Sequence, residues 1–137
     1  MKLSLKLEYA CQVLAQLGSS YGRTPLPHID ELAEAEQIPS NYLVQILNEL
    51  RTSGLIVSKR GKQGGYALAR DPKDISLYEI ICAVEGELLE LSGQGTGASA
   101  ARTKEIWAAL ARDLEARTRA YTVRDLMETH AEGMWYI

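Results

Sequence analysis

Apolar residues recur every three or four positions along much of this 137-residue chain, a spacing typical of helices that bury one face. The first such stretch predicts a helix from about Ser4 to Gly18, although the alternation of Leu3, Leu5 and Leu7 leaves its start open. Its inward residues are Tyr9, Ala10, Val13, Leu14 and Leu17. Two prolines and a glycine between residues 19 and 27 then predict a loop.

Two short helices are predicted next, separated by three or four residues. The first runs from about His28 to Glu36, and the second from about Asn41 to Thr52. Ser40 is a candidate N-cap for the second helix because its hydroxyl can accept a hydrogen bond from an unpaired amide, and Gly54 is a candidate end. The inward residues of the second helix are Leu43, Ile46, Leu47 and Leu50. This arrangement is typical of a helix-turn-helix.

A β-hairpin is predicted directly after these helices. Two short apolar runs, at 55–57 and 66–68, flank a glycine-rich turn. Lys59, Arg60 and Lys62 crowd the turn, where glycines would let the backbone come close to phosphate groups. A helix-turn-helix followed by a basic hairpin indicates a winged helix-turn-helix domain, which we place at residues 1–75.

The second part of the chain, residues 76–137, is predicted to be helical. Ser76 and Glu79 have the spacing of a capping box that opens one helix, and residues 92–99 form a loop rich in glycine and serine. A long helix follows over 100–121, and Thr122 is expected to cap a last short helix that ends near His130. The long helix carries an apolar stripe suited to packing on a partner helix: Ile106, Trp107, Leu110, Leu114 and Tyr121. The predicted fold class is mainly α with a small β-hairpin.

The composition is that of an ordinary globular protein, with 46% hydrophobic and 24% charged residues. The sequence contains no apolar run long enough to cross a membrane and no signal-peptide pattern, so we expect a cytoplasmic protein without a membrane partner. The net charge is −3, yet residues 51–73 carry six Lys and Arg against one acid, Asp71. A basic segment within an acidic chain is typical of a surface that binds a polyanion.

Duplex DNA is the polyanion that a winged helix-turn-helix fits. The second helix of the motif can enter the major groove, while the hairpin lies along the backbone and places a cation in the minor groove. The residues of that helix expected to face DNA are polar: Ser40, Asn41, Tyr42, Gln45 and Asn48. The sequence lacks a Walker loop, a His-Glu-x-x-His motif and a nucleophile elbow, so we expect no enzymatic activity.

A series of motifs with a specific order and spacing runs through the helix-turn-helix and the hairpin. Tyr-Leu-x-Gln-Ile stands at 42–46, Leu-Arg at 50–51, Gly-Leu at 54–55 and Arg-Gly-x-x-Gly-Gly-Tyr at 60–66. This series resembles the Rrf-two (Rrf2) family of dimeric winged-helix transcription regulators. The resemblance extends from Lys2 to about Glu85, and less distinctly to the last residue.

The resemblance implies a homodimer that binds double-stranded DNA, with the helix at 100–121 as the dimerisation helix. It places Ser40, Asn41, Tyr42 and Gln45 in the major groove, Arg60 in the minor groove, and Lys6 and Arg51 on phosphates, with Lys59 and Lys62 beside them. Val44 stands where many members have Glu, so the operator is expected to differ from theirs. Glu8 stands where members often carry a basic residue, which weakens a phosphate contact from the first helix.

Cluster-binding members of the family have three cysteines in the loop before the dimerisation helix, whereas residues 92–99 of this chain contain none. The remaining candidate ligands, Cys11, Cys82, His28 and His130, are scattered along the sequence. We therefore expect neither a metal nor another cofactor. The chain is similar in type to the cluster-free regulators of cysteine metabolism within the family.

The last four residues, Met134, Trp135, Tyr136 and Ile137, are apolar or aromatic. Cysteine regulators of the family end in a similar way, and the active site of cysteine synthase (O-acetylserine sulfhydrylase) accepts partner tails that end in Ile. The resemblance thus implies a repressor of sulfur metabolism that is controlled through cysteine synthase. Three alternatives stay open: the tail packs on its own domain, the chain is an enzyme-binding adaptor that acts through its tail, or it is a redox or iron–sulfur sensor with atypical ligands.

Overall fold

A computed structural model describes residues 3–127 of the chain. The described part contains six α-helices, a short 3₁₀ helix at Pro72–Asp74 and one two-stranded sheet. The helices α1 to α6 span Leu5–Ser19, Ile29–Glu36, Ser40–Thr52, Leu77–Glu85, Ala100–Ala120 and Val123–Leu126. The strands β1 and β2 span Ile56–Lys59 and Gly65–Leu68. The predicted fold class, mainly helical with a small hairpin, is confirmed.

Helix α1 begins where the sequence predicts, because the Ser4 hydroxyl accepts a hydrogen bond from the Leu7 amide at 3.1 Å. Its predicted end at Gly18 is wrong, since the helix continues through Ser19. Gly18 is a buried helical residue rather than a stop. A Cβ at this position would lie 2.7 Å from Met127 Sδ, so any larger residue would require the Met127 side chain to shift.

Helices α2 and α3 form the predicted helix-turn-helix. They are joined by residues 37–39, and Gln37 adopts the left-handed conformation with φ of 57°. Ser40 is not the N-cap of α3, as predicted, but its first helical residue. Pro39 takes the cap position because its ring fixes an extended backbone, with φ of −58° and ψ of 131°, and its carbonyl accepts from the Leu43 amide.

The hairpin pairs β1 and β2 antiparallel, from Ile56 opposite Leu68 to Lys59 opposite Gly65. The loop before α2 lies against it. The Leu26 amide donates to the Gln63 carbonyl at 3.1 Å, and the Tyr66 amide donates to the Pro27 carbonyl at 2.9 Å. The position of the wing is therefore fixed by backbone hydrogen bonds to the segment between α1 and α2 as well as by its own pairing.

The second part of the described chain is joined closely to the first. Helix α4 opens with the predicted capping box, in which the Ser76 hydroxyl accepts from the Glu79 amide at 3.1 Å. Helix α5 ends one residue earlier than predicted, because Tyr121 is extended and its carbonyl accepts from the Leu77 amide at 2.8 Å. The Thr122 cap is confirmed, and its backbone N–H donates a hydrogen bond to Asp125 Oδ2 at 2.8 Å. The predicted end of this helix near His130 lies outside the described residues.

One hydrophobic core joins these elements. Leu14 and Leu17 of α1, Leu47 of α3, Ile80 of α4 and Val123 of α6 belong to the same buried cluster. The inward faces predicted for α1 and α3 are thus confirmed, apart from Tyr9, which is only half-buried. Residues on both sides of residue 75 contribute to this core. The predicted division into domains at residues 1–75 and 76–137 stays a prediction. Within residues 3–127, none of the helices has the length and apolar character to cross a membrane.

Candidate nucleic-acid interface

Helix α3 presents an exposed stripe on the side that faces away from the core. Its apolar residues at 43, 46, 47 and 50 are buried, which leaves Asn41, Gln45 and Asn48 on the opposite side at helical spacing. Ser40 is exposed at the helix start, and Tyr42 is half-buried. Val44 interrupts the polar stripe with an isopropyl group that is 45% exposed. The stripe thus offers amides, a hydroxyl and one apolar group to a partner.

Arg51 connects this stripe to the wing. One of its guanidinium nitrogens donates to Asn48 Oδ1 at 3.0 Å, and the other donates to Ser58 Oγ in β1 at 3.4 Å. The end of the α3 stripe therefore lies beside the first strand of the hairpin. The polar surface continues from α3 onto β1, which is the arrangement that a winged helix needs to contact a groove and its flanking backbone together.

The basic residues of the wing have no acidic side chain close to them among the described residues. Lys59, Arg60 and Lys62 are exposed at the end of β1 and in the turn. Within residues 3–127 these three, together with Arg51, have no carboxylate oxygen within 4.0 Å. They form the uncompensated part of the basic segment found in the sequence.

Two further basic residues counted in that segment are paired. Arg70 lies 2.7 Å from Glu79 Oε1, and Lys73 lies 3.9 Å from Asp71. The hydrogen bond from Arg70 lowers the pKa of Glu79 below its ordinary value, and the same bond raises the pKa of Arg70. The Arg70 pair lies at the start of α4, and the Lys73 pair lies at the 3₁₀ helix, so both charges have acidic neighbours within the chain.

The glycines of the wing fit the backbone of the protein itself. A Cβ on Gly64 would lie 2.3 Å from the Lys59 carbonyl oxygen, and one on Gly65 would lie 2.4 Å from the Pro27 carbonyl oxygen. Gly61 has φ of 103° and no atom within 4 Å of such a Cβ. From the sequence, we inferred that the wing glycines let the backbone approach phosphate groups. That reason does not account for Gly64 and Gly65, which lie against the protein's own backbone. Both are needed to close the turn and to seat it on the loop at 24–27.

Helix α1 supports α3 through two side-chain contacts. The rings of Tyr9 and Tyr42 pack edge to face, with centroids 5.5 Å apart. Lys6 Nζ lies 3.1 Å from Glu49 Oε1. The ammonium group of Lys6 thus lies against the acidic residue of α3, and the phosphate contact predicted for Lys6 stays a prediction. Sequence reasoning missed both contacts because they join residues more than thirty positions apart.

Helix α5 exposes the apolar stripe predicted from the sequence. Ile106, Trp107 and Leu110 are each between 46% and 48% exposed, and Leu114 is half-buried. Tyr121 is 47% exposed but lies just beyond the helix. Trp107 also borders a groove of about 810 Å³ between α5 and the loop at 89–99. Apolar side chains this large at the surface of one helix indicate a surface that another protein covers.

The two cysteines lie in separate helices and are free thiols. Burial, and secondarily the charge of Glu8, raises the pKa of Cys11 to about 11, so this thiol stays protonated at neutral pH. Across the part of the chain that the structure describes, no three His, Cys, Asp or Glu side chains are close enough to hold a metal ion. The predicted partner-binding tail, Met134 to Ile137, lies outside the described residues.

Known proteins with similar sequences are transcription regulators. Residues 3–129 match the family Rrf2, described as "Iron-dependent Transcriptional regulator". An HTH-type transcriptional regulator of Mycobacterium tuberculosis is 34% identical over 132 residues, which cover 92% of this chain and 81% of the relative. The regulator IscR of Vibrio vulnificus is 34% identical over 117 residues, or 85% of this chain and 69% of the relative.

Solved structures of regulators share the fold. CymR, the global cysteine regulator of B. subtilis, superposes with a TM-score of 0.79 at 28% identity, covering 92% of this chain and 95% of its own. IscR of T. potens superposes with a TM-score of 0.77 at 30% identity, covering 100% of this chain and 93% of its own. These similarities confirm the expectation of a winged-helix regulator rather than an enzyme.

Proposed function

Because the chain belongs to the Rrf2 family of transcriptional regulators, we propose that it is a cytoplasmic repressor whose homodimer binds a pseudo-palindromic operator in double-stranded DNA. The observation that carries the proposal is the continuous polar surface from α3 to the wing, joined by Arg51 between Asn48 and Ser58. In a dimer, two such surfaces would meet successive major grooves about one helical turn apart.

The proposed contacts with the bases come from α3. Ser40, Asn41, Tyr42 and Gln45 lie in the first half of the helix, the part that meets base edges when a recognition helix enters the major groove. An amide such as that of Gln45 can pair with adenine through two hydrogen bonds. The exposed Val44 offers an apolar contact to a thymine methyl group and cannot accept a hydrogen bond from cytosine. The preferred operator therefore differs from that of a regulator with Glu at this position.

The proposed contacts with the DNA backbone come from the uncompensated cations. Arg60 follows β1 directly and is assigned to the minor groove, where the negative potential favours a guanidinium group. Lys59, Lys62 and Arg51 are assigned to phosphates. Lys6 can reach a phosphate when its pair with Glu49 opens.

A second copy of the chain is the proposed partner of α5. Half-exposed Ile106, Trp107 and Leu110 on a 21-residue helix supply the apolar centre of a helix-to-helix contact, with Leu114 and Tyr121 at its end. A twofold dimer buries the same stripe from both copies and holds the two α3 helices at a fixed separation. The spacing of the operator half-sites is then set by the dimer.

The residues present do not fit an iron–sulfur cluster, although the family description names iron. Thiolate ligands are needed, usually four for each cluster. The chain has two cysteines, Cys11 in α1 and Cys82 in α4, and none in the loop at 92–99. No step of the proposed mechanism involves iron.

Control by cysteine synthase is the proposed input. One solved relative, CymR, is the global cysteine regulator of B. subtilis, which supports a role in sulfur metabolism here. Tyr136 and Ile137 offer an aromatic ring and a branched apolar side chain to a small pocket of the enzyme. Occupancy of the enzyme by its substrate O-acetylserine would then decide how much regulator is free to bind DNA.

The experiment that tests the function is the enrichment of DNA sequences by the purified full-length protein, with and without cysteine synthase. We expect a pseudo-palindromic sequence that lies upstream of sulfur-assimilation genes. Gln45→Ala serves as the variant that loses base readout. A DNA pool whose sequences stay random with the wild-type protein would refute sequence-specific binding. This is the result expected if the chain is only an enzyme-binding adaptor. Unchanged enrichment when the enzyme is added, or equal enzyme capture without Tyr136-Ile137, would refute the tail mechanism alone.

A further inference from the structure

Glu49 is the only acidic residue in α3, the helix proposed to read DNA. Its carboxylate Oε1 lies 3.1 Å from Lys6 Nζ of α1, and the two side chains are 40% and 30% exposed. The pair therefore lies at the surface, on the seam between the two helices. It is close enough to act as a charge-assisted hydrogen bond.

The seam around this pair is held in place by a second contact. Tyr9, one turn after Lys6 on α1, packs edge to face on Tyr42 of α3. Leu7 and Ala10, the residues that follow Lys6 and Tyr9, are buried in the core. Because α1 is fixed against α3 in this way, the packing of the two helices already holds Lys6 close to Glu49. The ion pair does not have to position either helix.

The other cations predicted to bind DNA have no acidic side chain beside them in the described residues. Arg51 donates only to the neutral oxygens of Asn48 and Ser58 among its described contacts, so its positive charge is not cancelled. Lys59, Arg60 and Lys62 likewise have no carboxylate partner between residues 3 and 127. Lys6 is thus the one cation of the predicted DNA-binding set that is neutralised by a neighbour in the described structure.

Resting on the proposed DNA binding, we infer that Glu49 withholds Lys6 from the DNA backbone and so lowers the affinity of the protein for DNA of any sequence. A carboxylate beside the ammonium group stands where a phosphate oxygen would otherwise be bound. While the pair is closed, α1 contributes no released counterion to binding. Discrimination is then left to α3 and the wing. Glu49 sets the sequence-independent part of the affinity through Lys6 and needs no contact with a base.

The salt dependence of binding to a duplex of mixed sequence, about 30 base pairs long, tests this inference in the full-length protein. Each phosphate contact adds about 0.9 to the slope of log affinity against log salt concentration. We expect Glu49→Gln to steepen the slope by about that amount, and to tighten binding roughly 5- to 10-fold near 0.1 M salt. Lys6→Gln is expected to keep the wild-type slope, since the withheld cation makes no phosphate contact. The double variant is expected to keep it too.

The four proteins together separate the possible outcomes. Equal steepening by Glu49→Gln with and without Lys6 would show that Glu49 acts by its own charge, which overturns the inference. A shallower slope for Lys6→Gln alone would overturn it as well, because Lys6 would already contact phosphate. Glu105→Gln is the matched control, because it removes the same charge from the pair with Arg102 on α5, at 3.4 Å, and should leave the slope unchanged. If no protein of the set binds DNA, the proposed function itself fails.

Discussion

Gly18 of α1 lies directly against Met127, the last residue that the structure describes. A Cβ on Gly18 would stand 2.7 Å from Met127 Sδ, 3.0 Å from its Cγ and 3.3 Å from Val123 Cγ1. Val123 is fully buried in the same core as α1. The chain that leaves α5 therefore packs back onto α1.

The first prediction concerns this contact. Gly18→Ala should stabilise a free helix by about 0.5–1 kcal/mol, but the clash with Met127 should cost about 1–3 kcal/mol. We expect the substitution to destabilise the wild-type protein and to be neutral or stabilising in a Met127→Ala background. Urea unfolding of the four proteins measures the coupling. An identical change in unfolding free energy in both backgrounds would show that the contact is absent.

The second prediction concerns Glu79, whose pKa is lowered by the hydrogen bond from Arg70 and by bonds within the capping box. A carboxyl with a lowered pKa in the folded state stabilises the protein above its unfolded pKa, near 4.5, and loses this effect as pH falls through the folded value. Glu79→Gln should cost about 0.5–1 kcal/mol at pH 7, the range for a solvent-screened pair. The difference should shrink below about pH 4.

Glu31 provides the control for that measurement. Its carboxylate accepts from the His28 amide at 3.0 Å in the capping box of α2, and no cation pairs with it among residues 3–127. Glu31→Gln should therefore cost less stability at pH 7 than Glu79→Gln. An equal cost for the two variants would contradict the role given to Arg70.

The third prediction concerns the reactivity of Cys11. Burial and the Glu8 charge raise its pKa from 9.0 to about 11, so at pH 8 the folded thiol should be ionised about 100-fold less than an unfolded one. In a Cys82→Ser variant, alkylation by iodoacetamide should be slower by at least this factor in the native protein than in urea. Mass spectrometry follows the reaction. Equal rates would mean that Cys11 is a free, reactive thiol and would revive the redox-sensor alternative.

The fourth prediction concerns the α5 stripe. Leu110→Asp places a charge where a second copy is proposed to pack, while the side chain is 48% exposed within one copy. We expect a change from dimer to monomer at micromolar concentration, measured by light scattering, with the helix content retained. Arg112→Asp, about half a turn further round the same helix, is the control and should stay dimeric. A wild-type monomer, or a dimeric Leu110→Asp, would refute the dimer proposed here.

Features of the fold that depend on residues close together in the sequence could be predicted, and features that depend on packing between distant residues could not. The helices, the hairpin, the capping box at Ser76 and the cap at Thr122 follow from spacing and from short-range hydrogen bonds, and they were predicted correctly. The end of α1 was predicted wrongly. Glycine often ends a helix, but here Gly18 is a helical residue that lies against Met127. The N-cap of α3 was misplaced by one residue because proline fixes the cap conformation without a side-chain bond.

The candidate site shows the same limit. The motifs identify α3 and the wing as the surface, but they do not show which cations are neutralised. Lys6 is paired with Glu49, and Arg70 with Glu79, across 43 and 9 positions of the chain. Such pairs depend on how the helices pack. The loop at 24–27, which holds the wing through Pro27, also carries no sequence signal for that role.

The most direct test of the account is the salt dependence of operator affinity for the wild type, Arg60→Ala and Gln45→Ala, measured by fluorescence anisotropy on the enriched sequence and on a scrambled one. Arg60→Ala should weaken binding to both sequences and make the slope shallower by about 0.9, the contribution of one charge. Gln45→Ala should reduce the preference for the operator while leaving the slope unchanged. If both variants bind both sequences as the wild type does, at every salt concentration, then α3 and the wing are not the surface that binds DNA.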